Sequence, residues 1–70
     1  MKYYAIPWLH VTSGTVTNGI CCVSAKETPS TAFIIRETAE EVENFDSNKF
    51  HIMEVIEVTK REFNRLTASK

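Results

Sequence analysis

Alternation of apolar and polar side chains is strongest at the start of the chain. Lys2 to Val11 (KYYAIPWLHV) is dense in aromatic and branched residues and reads as a strand, and Pro7 inside it argues for an edge position or a bulge. Period-two geometry sends Tyr4, Ile6 and Trp8 to one face and Ala5, Leu9 and Val11 to the other. Ser13 and Gly14 then mark a turn, and Thr15 to Ala25 repeats a strand pattern. Asn18 and Gly19 offer a second turn that would shorten this strand to Ile20 onward. Either choice makes an N-terminal hairpin.

The segment KETPST punctuates the chain, and Pro29 suits a loop or the first turn of a helix. The β-rich TAFII predicts a third strand from Thr31 to Arg36, with a helix from Pro29 to Phe45 as the alternative. Thr38 followed by Glu41 matches a capping box and predicts a helix from Ala39 to Phe45, with Val42 and Phe45 on its apolar face. His51 to Val58 reads as a strand whose Ile52, Ile56 and Val58 oppose Met53 and Val55. Thr59 and Glu62 then repeat the capping box, with Phe63 and Leu66 in matching places and Thr67 to Lys70 as a tail. Two such units are too few for a solenoid.

The pattern predicts a single small α+β domain over residues 1–70. It is an antiparallel sheet in the order β-β-β-α-β-α with two short helices on one face. Both sheet faces carry apolar residues, so two helices on one face leave the other uncovered. A homo-oligomer, most simply a dimer, is therefore expected, joined through that face or through Tyr3, Tyr4 and Trp8 of the first strand.

Size sharpens this expectation. A chain of 70 residues and 8.0 kDa, 43% of it hydrophobic, builds a small core that usually needs a disulfide, a metal or a second copy. Cys21 and Cys22 are adjacent, and side chains of neighbouring strand residues diverge, so they read as two reduced thiols in a cytoplasmic protein. YYAIPWL is too short to span a bilayer and lacks the features of a secretory signal. His10, His51, Cys21 and Cys22 have the ligand chemistry of zinc without its spacing, so neither a metal nor another cofactor is expected. No motif joins a nucleophile to a base and no glycine loop cradles phosphate, which argues against an enzyme.

Net charge is −1, but its distribution is uneven. Arg36 to Lys49 holds Glu37, Glu40, Glu41, Glu43 and Asp46, whereas Lys60 to Lys70 is basic. In the predicted helix Glu40 and Glu41 fall in the first turn, where the helix dipole favours them. The functional counterpart is an acidic surface of Glu40, Glu41 and Glu43 toward a basic partner. Lys60 and Arg61 sit where the dipole disfavours cations and, with Arg65, suggest a phosphate or carboxylate site. The expected function is a non-enzymatic interaction module, acting as a homo-oligomer on another protein, of the accessory or inhibitory kind found in small microbial and viral proteins. The alternative is a nucleic-acid-binding module using Lys60, Arg61 and Arg65. Tyr3, Tyr4 and Trp8 lack the neighbouring cations that base stacking requires.

Overall fold

The computed structural model describes residues 1–68. It is an α+β fold in which an antiparallel sheet carries two short helices. The elements are β1 (Lys2–Thr12), β2 (Thr15–Ala25), α1 (Thr31–Ala39), a 3-10 turn (Ser47–Lys49), β3 (Phe50–Ile52), β4 (Ile56–Val58) and α2 (Lys60–Ala68). Thr67 and Ala68 belong to α2; the rest of the expected tail, Ser69 and Lys70, lies outside the described residues.

The hairpin takes the longer of its two readings. β1 and β2 pair without interruption from Lys2–Ala25 to Thr12–Thr15. Gly14, at φ 81°, occupies the turn position that a residue with a Cβ adopts only at a cost. The second glycine has a packing role instead. Gly19 faces Trp8 across the ladder, and a Cβ built there would lie 2.6 Å from the indole Cζ2, so only glycine lets the ring lie across β2.

β1 is a central strand rather than an edge, with β2 on one side and β3 and β4 on the other. Pro7 is accommodated by a bulge in the partner. From Trp8–Ile52 to Ala5–Ile56, β1 moves three residues while its partner moves four, so the segment Met53 to Val55 holds one residue more than Ile6 and Pro7 opposite it. The Met53 N–H donates to the Pro7 carbonyl at 2.9 Å, and no Pro7 N–H exists to answer it. The expected strand His51 to Val58 is thereby divided in two, and the extra residue flips the alternation. Phe50 and Ile52 share the face of His10 and Trp8, whereas Ile56 and Val58 share that of Ala5 and Tyr3.

The middle of the chain departs most from the sequence expectation. Thr31 to Arg36 is helix, not strand, and the order is β-β-α-β-β-α. The cap is Ser30, whose Oγ accepts the Phe33 N–H at 3.2 Å. Thr38 caps nothing: it is buried inside α1, one turn beyond buried Ile34. Burial of this i, i+4 pair outweighs the strand preference of TAFII. The chain turns after Glu40 instead of forming a helix from Ala39 to Phe45, helped by Asn44 in the left-handed region at φ 55°. Val42 and Phe45 nevertheless both reach the core.

The two helices lie on opposite faces, not together. Ile34 of α1 packs with Tyr4, Ile6, Trp8, Val23 and Phe50. Tyr3, pointing the other way from Tyr4, meets Phe63 of α2 with ring centroids 5.0 Å apart. The second face is thus covered at its Tyr3 end and uncovered near the turn, where Val11, Val16 and Ile20 are exposed.

Thr38 Oγ1 is buried and has no hydrogen-bond partner among the described residues. Thr38→Val, which keeps the shape and removes the hydroxyl, should leave stability unchanged or raise it by about 1 kcal/mol in urea denaturation. Loss of about 1 kcal/mol, the cost of deleting a helix cap, would restore the capping-box reading. Gly19→Ala should instead cost about 1 to 3 kcal/mol by forcing the Trp8 ring aside.

Candidate interaction surfaces

The aromatic residues expected at an interface are engaged within the chain. Tyr4 and Trp8 are 3% and 5% exposed in the core, and half-buried Tyr3 is held by Phe63. The strand bearing them is paired on both sides, so it does not offer a pairing edge.

The histidines and cysteines are dispersed. His10 is 2% exposed, stacks on Phe45 at 5.3 Å, and accepts the Asp46 N–H at Nε2 over 3.0 Å. This bond fastens the loop after α1 to β1. The Asp46 carboxylate in turn accepts the Asn48 N–H and starts the 3-10 turn. His51 lies exposed opposite Leu9, and Cys21 and Cys22 are half-buried thiols on alternate faces of β2. Among the described residues no group of three or more His, Cys, Asp or Glu side chains is placed to hold a metal ion.

The basic site changes character once the helix end is seen. The Glu62 N–H donates to Thr59 Oγ1 at 3.1 Å, while Glu62 Oε1 accepts the Thr59 hydroxyl at 3.1 Å and the Thr59 N–H at 3.4 Å. The reciprocal cap places the chain's own carboxylate at the N-terminus of α2, where an external anion would bind. Lys60 and Arg61 are exposed beside an end already capped, and Arg65 is in the last turn, where the dipole favours a cation.

The acidic residues change in the opposite sense. α1 ends at Ala39, with Glu40 as its C-cap. Glu37, Glu40 and Glu41 therefore surround the negative end of the dipole, where each carboxylate is disfavoured by about 0.3 to 1 kcal/mol at a surface position. Helix stability does not explain them. Glu37, Glu40, Glu41 and Glu43 are all exposed, and Glu37 and Glu41 line a groove with Phe33 and the outer side of β2 from Cys21 to Ser24. Arg36, the cation of that last turn, lies 5.5 Å over the Phe33 ring.

The position of β2 is a feature that the residue motifs did not indicate. It ends the sheet, so no strand among the described residues lies beyond it. Eleven residues, Thr15 to Ala25, contain neither a charge nor a proline, the usual means of blunting an edge. The composition was legible in the sequence; its place at the edge was not.

No family model matches the sequence, and neither a curated protein nor a solved structure is similar to it. No helix among the described residues is long and apolar enough to cross a membrane.

Thr59→Ala should lower stability by about 1 kcal/mol in thermal melts, whereas Lys60→Ala should stay within about 0.5 kcal/mol of the parent. Equal effects of the two substitutions would mean that the cap does not hold α2.

Proposed function

We propose that this protein is a small, non-enzymatic interaction module that works as a homo-oligomer in the cytoplasm and presents an acidic surface to another protein. The observation that carries the reading is the position of Glu37, Glu40 and Glu41 at the C-terminal end of α1, with Glu43 just beyond. Carboxylates that oppose the dipole of their own helix are retained at a cost in stability, and a basic partner would offset that cost on binding. Exposed apolar residues of the uncovered second face, Ile20 and Val16 among them, support self-association.

Nucleic-acid binding through Lys60, Arg61 and Arg65 is the weaker reading, since Glu62 already caps that helix end and Glu57 lies just before it. Its surface would be small and of mixed sign.

Replacing Glu37, Glu40, Glu41 and Glu43 together by Gln separates these readings. The variant should melt at or above the parent temperature, because the dipole penalty is removed. In affinity capture from the native host with mass spectrometry, a basic protein retained by the parent should be lost from the variant. Equal capture by both would contradict the acidic-surface reading. A salt-sensitive gel shift with random oligonucleotides, abolished by Lys60→Glu with Arg61→Glu, would establish the nucleic-acid reading instead.

A further inference from the structure

The register sorts the hairpin's side chains between the two faces of the sheet. Pro7 with Ile20, Leu9 with Asn18 and Val11 with Val16 stand on the face that carries α2, opposite to the one packed by α1. α2 covers the Tyr3 end of this face through Phe63, and the half toward the turn is uncovered among the described residues. Val11, Val16, Ile20 and Met53 are exposed, and Pro7, Leu9, Ile20 and Met53 line a hollow of about 340 Å³ there.

Half coverage restricts what can lie on this face. A helix with its side chains is about 10–12 Å across, and two sheets pack face to face about 10 Å apart. Two copies that stack their uncovered halves with hairpin turns pointing in opposite directions therefore meet at sheet-packing distance, each α2 resting beside the other copy's turn. With turns pointing the same way, the two α2 helices would collide and hold the sheets apart. We infer that two copies of the chain associate face to face through this uncovered half, turns opposed, across a two-fold axis near Leu9 and Asn18. That pair is the middle of the uncovered span, which runs from Pro7–Ile20 to Val11–Val16.

Charge argues for a second copy over a charged partner. On this half β1, β2 and β3 place one ionisable side chain, His51 opposite Leu9, and Glu54 follows Met53 in the chain. The turn that each α2 would flank, Thr12 to Thr15, is uncharged, so Lys60, Arg61, Glu62 and Arg65 meet no like charge on it. Glu37, Glu41 and Glu43 line grooves with Cys21, Val23 and Thr17, whose side chains lie on the α1 face. In the pair they fall on the two outer surfaces, farther apart than the ~10 Å between the sheets and so beyond the Debye length of about 8 Å at physiological salt. The uncovered span measures about 17 Å along the strands and about 10 Å across them, the low end of interface sizes, so the dimer is expected to be a weak one. It supplies the support that a core of eight buried hydrophobic residues calls for. The inference rests on the self-association proposed above and gives it a surface, but does not depend on the acidic partner.

The test uses the full chain. Sedimentation equilibrium from low to high micromolar concentration should show a dimer, and Val11→Lys should weaken it by about 100-fold by burying a cation in an apolar contact. Val11 is exposed and belongs to the central strand, so a contact made through the end of the sheet would leave it out. Met53→Lys, at a more exposed position, should act in the same direction, and far-UV circular dichroism verifies that each variant is folded. The melting temperature of the parent should rise with protein concentration and that of Val11→Lys should not. A dimer that withstands both substitutions overturns the inference while leaving self-association in place. A parent chain that is monomeric throughout overturns the inference together with self-association, and leaves acidic-surface binding intact.

Discussion

Everything in this small domain depends on β1 being paired along both sides. Its ladder to β2 runs from Lys2 to Thr12, and its other side holds β3 and β4. A strand so placed contributes side chains to both faces, and β1 does: Tyr4, Ile6 and Trp8 build the core with Ile34 of α1, while Tyr3 meets Phe63 of α2. The cost arises at Pro7, which has no N–H for the second ladder. The extra residue between Ile52 and Ile56 absorbs it and, by shifting register one residue, puts Ile56 and Val58 on the face of Ala5 and Tyr3. One missing hydrogen thus decides which face the end of the sheet serves.

The same arrangement sorts the candidate residues. With β1 in the centre, its aromatics are enclosed and β2, which carries no charged residue, is left at the end of the strand order. With α1 starting at Ser30 rather than near Thr38, the acidic run moves from the favourable end of a helix to the unfavourable one. A feature that helix stability would have explained becomes one that the helix dipole opposes. The basic run moves the other way, because Glu62 occupies the helix end that an external anion would need.

Legibility in the sequence followed the range of the interactions involved. The β1–β2 hairpin and α2 were readable because local signals set them: alternation with Ser13-Gly14 between strands, and the Thr59–Glu62 capping box with Phe63 behind it. Thr38–Glu41 displays the same capping pattern, yet its hydroxyl is buried beside Ile34, because a longer-range requirement for a helix over Tyr4 and Ile6 took precedence. The Ser30 cap was visible next to Pro29 but lacked the acidic residue three positions on that makes such signals distinctive. Of the candidate surfaces, the charged runs could be read from composition. Whether they help or oppose their own helices required the helix boundaries, and the exposed edge required the strand order.

Amide hydrogen exchange along β2 tests the central claim most directly, since it reads the ladder residue by residue. The account predicts that the amides of Thr17, Gly19, Cys21 and Val23 are protected at every protein concentration by their bonds to β1. Those of Val16, Asn18, Ile20 and Ser24, which face away from β1, should exchange faster. Protection that does not alternate along β2 would contradict the register on which the structure rests.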